Sequence, residues 1–182
     1  MVAATKHSHT LVALVLDKPG VLNRIASMFR RRGYNIHSLA VGHSEIPNLS
    51  RMTFVVEGDD TTVEQVTKQL YKLIDVVRVT ELSDMDCVSR EMALIKVRST
   101  AQTRSEIIQM VDIFRANIVD VSNESMIIEV TGDEDKIDSL YTLLKPFGVK
   151  EMMRTGRVAM NRGPLTSHGL ENGRVKSKTL GT

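Results

Sequence analysis

The sequence predicts an α+β protein made of two tandem βαββαβ units. Three observations carry this. Positions 52–70 and 126–144 align without a gap at an offset of 74 residues, so that Met52, Val56, Gly58, Asp59, Val63, Val66 and Leu70 face Met126, Val130, Gly132, Asp133, Ile137, Leu140 and Leu144. Upstream, Phe29-Arg30 and Asn35-Ile36 echo Phe114-Arg115 and Asn117-Ile118; the offset is larger there because the first copy has a longer loop near residues 44–49. Within each copy the hydrophobic period switches between strand-like and helix-like in the same order. A repeat this long is a domain duplication rather than a solenoid unit.

In the first copy, residues 10–16 are an apolar strand. Leu22, Ile25, Ala26 and Phe29 line one face of a helix that ends at Gly33, a residue suited to a left-handed C-cap. Residues 34–45 read as a strand, Ile46-Pro47-Asn48 as a turn, and 51–57 as a strand with Met52, Phe54 and Val56 on the core face. Thr61 and Glu64 have capping-box spacing for a second helix, with Val63, Val66, Leu70 and Leu73 as its buried stripe. Residues 76–81 are the last strand. The second copy runs through a strand at 92–98 and a helix opened by Thr103 and Glu106, with Ile107, Ile108, Val111 and Phe114 on its apolar face. Strands at 118–122 and 126–131, a helix carrying Ile137, Leu140, Tyr141 and Leu144, and a strand at 149–154 complete it. Each copy is expected to be ferredoxin-like, a four-stranded antiparallel sheet with two helices on one face. The expected boundaries are 9–82 and 90–160 for the domains, 83–89 for a linker and 161–182 for a flexible tail. The second face of each sheet is expected to be bare. In the first strand both faces are apolar, which implies that a partner buries the open face or edge.

Composition excludes several classes. The single cysteine, Cys87, forms no internal disulfide and fits a reducing compartment. No apolar run approaches a membrane span of roughly 20 residues, and no secretory signal is seen at the start, so a cytoplasmic chain, or a processed organellar form, is expected. The basic pI of 8.7 belongs to the tail: residues 161–182 hold Arg162, Arg174, Lys176 and Lys178 against Glu171. The remainder carries 20 basic and 21 acidic residues, which gives no footprint for nucleic acid. Arg30-Arg31-Arg32 suit the last turn of a helix, and Asp59-Asp60 and Asp133-Glu134-Asp135 suit helix starts. His37 and His43 read as surface residues, and no metal is expected. No nucleophile, base and orienting acid come together. Copper chaperones of this fold need C-x-x-C. An RNA-recognition motif needs exposed aromatics on its third strand, where only Phe54 stands.

The residues that do suggest chemistry are Asp17-Lys18-Pro19-Gly20, a tight turn between the first strand and the first helix. Proline suits the first helical position, glycine lets backbone approach a ligand, and the exposed N–H groups of a helix start attract a carboxylate. Asn35 follows fifteen residues after Gly20. A carboxylate-binding turn with a nearby amide is equipment for holding an amino acid.

DKPGVLNRIASMFRRRGYNIHSLAVG, LSRMTFVVEGDD and KQLYKLIDVVRV resemble the regulatory small subunits of acetolactate synthase (acetohydroxyacid synthase). The first copy resembles an ACT domain, an amino-acid-binding module. REMALIKV and FRANIVDVS resemble that family's carboxy-terminal domain. The resemblance implies a chain without catalysis or cofactor of its own. Thiamine diphosphate, Mg²⁺ and FAD belong to the separate large subunit, which this chain would activate and subject to feedback inhibition by valine in branched-chain amino acid biosynthesis. It further implies a homodimer through ACT domains. In it Asp17, Lys18, Pro19, Gly20, Val21 and Leu22 bind the effector from one protomer, and Asn35 and Ile36 from the neighbour. Several members of the family have Asn where this chain has Asp17, a group able to pair with the effector's ammonium and to repel its carboxylate. A free-standing ACT-type sensor acting on another partner is the alternative.

Overall fold

The computed structural model describes residues 7–82 and 87–163, His7 by its backbone alone. The expected linker and tail lie for the most part outside them. Of the described residues, those up to Val88 and from Ala159 onward form one compact unit, and Ser89–Val158 form the other.

The first unit runs β1 (His7–Leu16), α1 (Val21–Arg32), β2 (Ile36–His43), β3 (Leu49–Gly58), α2 (Asp60–Leu70), β4 (Val76–Glu81). Its sheet has the order β2-β3-β1-β4, every pair antiparallel. The second runs β5 (Cys87–Arg98), α3 (Arg104–Ile113), β6 (Asn117–Val121), β7 (Ser125–Gly132), α4 (Glu134–Leu144), a 3-10 turn at Lys145–Phe147 and β8 (Val149–Arg154), in the order β6-β7-β5-β8. A short strand that the sequence reading lacks, β9 (Val158–Asn161), pairs with β5. Four residues are too few to show a period.

The repeat is the core. Met52, Val56, Val63, Val66 and Leu70 are buried, and so are Met126, Val130, Ile137, Leu140 and Leu144 at the matching places. Each such side chain contributes about 1.5–3 kcal/mol on leaving water. Phe54 stacks on Phe29 with ring centroids 5.5 Å apart. The two aligned polar positions have a mechanical reason. Asp59 and Asp133 cap α2 and α4 by accepting from the N–H groups of Thr62 (2.8 Å) and Lys136 (2.9 Å). The residue before each cap is glycine: a Cβ at Gly58 would meet Thr62 Cβ at 2.8 Å, and one at Gly132 would press on the Lys136 side chain, with Cδ at 2.5 Å and Cβ at 3.2 Å, which would have to shift.

Several expectations are corrected. α2 is capped by Asp59, not by a Thr61–Glu64 box: both residue types cap helices, and Asp59 lies where the strand ends. Before α3 the reciprocal box lies one turn early. Thr100 N–H donates to Thr103 Oγ1 (3.0 Å) and Thr103 N–H to Thr100 Oγ1 (3.3 Å), and Glu106 takes no part in it. Tyr34 is not in the strand. Its N–H bonds Phe29 O (3.1 Å) in the Gly33 C-cap, and its ring packs edge-on to Phe29. α1 buries Val21, Ile25, Met28 and Phe29, which leaves Leu22 and Ala26 exposed. Ile108 is likewise partly exposed on α3.

The second face of the first sheet is not bare. Val12 packs there with Leu82, Ala159 and the partly buried Cys87, and Thr10, Leu14, Thr53 and Val55 are also buried. This accounts for a first strand apolar on both sides. On the second sheet the corresponding face is open at Leu94 and Met153, which pair with each other.

At one edge of the first sheet, Tyr71 at the end of α2 places its hydroxyl against β4. It donates to Val79 O (3.0 Å) and accepts from Val79 N–H (3.1 Å).

Candidate functional site

The β1–α1 turn is built by one backbone choice. Gly20 has φ 85° and ψ −8°, the third-residue geometry of a type II turn, and Val21 N–H reaches Lys18 O at 3.4 Å. Proline at the second position and glycine at the third suit this turn type. Pro19 therefore belongs to the turn and not to the helix, as the first-position reading had it; Gly20 is the N-cap and Val21 the first helical residue. The turn is anchored below. Asp17 N–H donates to Asn48 O (2.8 Å) and Lys18 N–H to Leu16 O (3.1 Å). Asn48, itself at φ 62°, lies in the β2–β3 loop, which Glu45 braces through Ser44 and Arg51. Glu45's carboxyl is held below its usual range by its backbone hydrogen bond and then by the Ser44 hydroxyl.

The helix start above this turn is open. After the long Val21–Lys18 contact, Arg24 N–H is the next to reach back, to Gly20 O at 3.0 Å, and no side chain caps the N–H groups between them. The starts of α2 and α4 are closed by the side chains of Asp59 and Asp133; that of α3 has no side-chain cap either, but the Thr100 carbonyl takes its first N–H, that of Arg104, at 3.0 Å. Asp17, Lys18, Pro19 and Gly20 are all exposed, Val21 is buried beneath them, and Leu22 stands 44% exposed beside the uncapped helix start. The arrangement offers directed donors for a carboxylate next to an apolar side chain.

Asn35 and Ile36 lie elsewhere. Ile36 pairs with Val56, and Val56 with His9 near the start of β1, whereas the turn follows Leu16 at its other end. Seven residues of strand put these two sets about 24 Å apart. Asn35 is exposed, and Ile36, half-buried, opens the edge strand β2. One copy does not bring the two sets together.

Some neighbours of the turn were not legible in advance. His43 Nδ1 lies 3.1 Å from Asp17 Oδ2, so the histidine at the end of β2 sits on the one acidic group of the turn. Arg24 Nη1 donates to Asp75 Oδ2 at 2.5 Å. His37, at the other end of β2, pairs with Glu57 instead (3.3 Å). Among the described residues no His, Cys, Asp and Glu side chains group as a metal site, and no helix is long and apolar enough to cross a membrane.

Two family profiles match the chain. Residues 11–78 match the ACT domain of acetohydroxyacid synthase small subunits, and residues 90–163 match the small subunit of acetolactate synthase. The chain belongs to the acetolactate synthase small-subunit family. It is 53% identical over 157 residues to the acetolactate synthase small subunit of Mycobacterium bovis, covering 86% of this chain and 94% of that one. It is 56% identical over 155 residues to a probable small subunit from Archaeoglobus fulgidus, covering 85% and 97%. The crystal structure of the acetolactate synthase small subunit from Thermotoga maritima superposes with a TM-score of 0.82 at 49% identity, covering 87% of this chain and 99% of that one. As in its family, the chain's part in branched-chain amino acid biosynthesis is regulatory, not catalytic.

Proposed function

We propose that this chain binds the large, catalytic subunit of acetolactate synthase in the cytoplasm, raises its activity, and makes it subject to feedback inhibition by valine. The element order and strand order support reading each unit as ferredoxin-like βαββαβ, the first being the ACT domain. The thiamine diphosphate, Mg²⁺ and FAD of this chemistry belong to the large subunit.

The observation that carries the effector site is the open start of α1 at Gly20, where an exposed type II turn places uncapped N–H groups beside the exposed Leu22. Valine's carboxylate would take the N–H groups of Gly20 and Leu22, and that of Val21 in exchange for its long contact to Lys18 O (3.4 Å). Asp17, held by His43, stands on the turn, where its carboxylate can meet the ammonium. Lys18 and Pro19 shape the turn. Asn35 and Ile36 complete the site from a second copy. β2 is an edge strand, and two β2 strands paired antiparallel bring the start of one sheet beside the end of the other. Such a homodimer holds two sites, each made from both protomers. Valine regulates by preferring one arrangement of this dimer; such couplings run to about 1–3 kcal/mol, or roughly 5–150-fold in affinity.

The test is complementation. Small subunits carrying Gly20→Asp or Asn35→Ala are each combined with the large subunit and titrated with valine, and then the two are refolded together. In a mixed dimer one site carries both lesions and the other carries none. The expected result is that each variant alone loses or weakens inhibition while the mixture regains part of it. A mixture no better than its components overturns the shared site. Absence of any stimulation of the large subunit favours a free-standing ACT-type sensor.

A further inference from the structure

We infer that Asp75 is a positioning residue for the effector site: it holds the β1–α1 turn from both sides and so sets the affinity for the effector. The inference rests on the site proposed above. Asp75 lies between α2 and β4, remote in sequence from the turn, and its side chain is only 9% exposed. Its carbonyl oxygen accepts the N–H of Leu16 at 2.9 Å, the last residue of β1 and the neighbour of Asp17. Its carboxylate accepts from Arg24 Nη1 at 2.5 Å, and Arg24 in turn donates its own N–H to Gly20 O at 3.0 Å. One residue thus ties the strand before the turn and the helix after it.

The two arms differ in kind. The main-chain arm survives any change of side chain. The carboxylate arm is the one that reaches the helix. A carboxylate this far from water requires a cation, and Arg24 supplies it. Their pairing fixes the setting of the first turns of α1, and with it the direction in which the Leu22 N–H points. Direction matters because hydrogen bonds weaken steeply away from linearity. A loosened α1 would keep its donors but aim them poorly, so effector binding should suffer while folding and docking on the large subunit persist.

The experiment uses the holoenzyme reconstituted with small subunits carrying Asp75→Asn, Arg24→Gln, Arg24→Lys, both neutralising changes together, or Gly20→Asp. Stimulation is measured without valine and the half-inhibitory valine concentration with it; thermal unfolding reports folding. Asp75→Asn and Arg24→Gln should each raise the half-inhibitory concentration at least tenfold and leave stimulation within twofold of the unmodified chain. The double variant should be no worse than the worse single one, because both break the same link. Arg24→Lys should recover part of the loss, since it keeps the charge without the planar fork. If Arg24→Gln fails to fold with a buried carboxylate unpaired, the double variant, which removes that charge, takes its place. Unchanged inhibition in folded Asp75→Asn, with Gly20→Asp insensitive to valine, overturns the role of Asp75 and leaves the site standing. Unchanged inhibition in Gly20→Asp as well removes the site itself. Stimulation lost in parallel with inhibition marks Asp75 as a general structural residue and equally overturns the proposal.

Discussion

The β1–α1 and β5–α3 turns occupy the same place in the two copies of the repeat and lead into helices that both lack a side-chain cap, but they are built differently. In the first, Gly20 opens the helix with no capping side chain, and the surrounding loop is held from below by main-chain bonds. In the second, Thr100 and Thr103 exchange hydrogen bonds, and Ser99 is fully buried. There Arg104 reaches across to Ser122 O (2.7 Å) in the β6–β7 turn, the counterpart of the β2–β3 loop. The second turn is thus tied together by its own side chains and by the β6–β7 turn, where the first is an exposed Pro-Gly turn. The core residues of the two copies still match position for position. Duplication kept what packs and let the turns diverge, so recognition can reside in one copy of a fold that both share.

The largest expected effect on this contrast is that of Gly20→Asp. It should abolish inhibition by valine and spare stimulation of the large subunit. A Cβ at Gly20 meets nothing within 4 Å, so crowding within the chain is not the cause. The φ of 85° is strained for aspartate by about 1–2 kcal/mol, and a fixed carboxylate at the helix start opposes an incoming one by about 0.3–2 kcal/mol. A valine titration that still shows inhibition would erase the distinction between the two turns. Next comes the pair Asn35→Ala and Asn117→Ala. The first should weaken valine inhibition by about 1–3 kcal/mol, the cost of an unanswered buried partner. The second should leave inhibition unchanged, because Asn117 Nδ2 is already engaged with Glu129 (3.3 Å). Equal effects would mean that both copies bind.

Arg104→Gln should act on stability alone. Losing the link to Ser122 O costs about 1 kcal/mol, enough to lower Tm by roughly 4–8 °C in a domain of this size. A shift in valine sensitivity instead would give the second turn a part in recognition. The smallest effect concerns the shared scaffold. Asp59's carboxyl is held below its usual range by the Thr62 hydroxyl and then the Thr62 N–H. A depressed carboxyl contributes stability above its unfolded value and loses it as pH falls through the folded one. Asp59→Ser keeps an N-cap oxygen that does not titrate. Thermal unfolding between about pH 6 and 3, spanning the ordinary carboxylate value, should show a flatter acid limb for this variant, with inhibition at neutral pH unaltered.

The core was legible because burial imposes a period, and the period recurs after 74 residues. The order of elements followed from it, as did Phe54 on the core face. The turn at Asp17–Gly20 was legible as a turn but not in its detail, since Pro-Gly suits both a helix start and a type II turn. The caps were misplaced where two capping residue types stand close together, as Asp59 and Thr61 do. The separation of Asn35 from the turn became visible only with the strand order, which local periodicity does not contain. Arg24 and Asp75 are 51 residues apart, and nothing in their spacing marks them as partners.

Tyr71 has a consequence for the size of the assembly. A sheet with two free edges can add copies at both and grow without limit, whereas a sheet with one can only close on a single mate. Val79 turns its N–H and C=O away from β1, and the Tyr71 hydroxyl answers both, so the middle of β4 has no main-chain groups to offer a newcomer. Within this sheet, growth by strand addition is then left to β2. The pairing through β2 proposed above would consume that edge on both copies at once, and for this sheet the count would stop at two: one tyrosine at the end of α2 would separate a finite pair from a fibre.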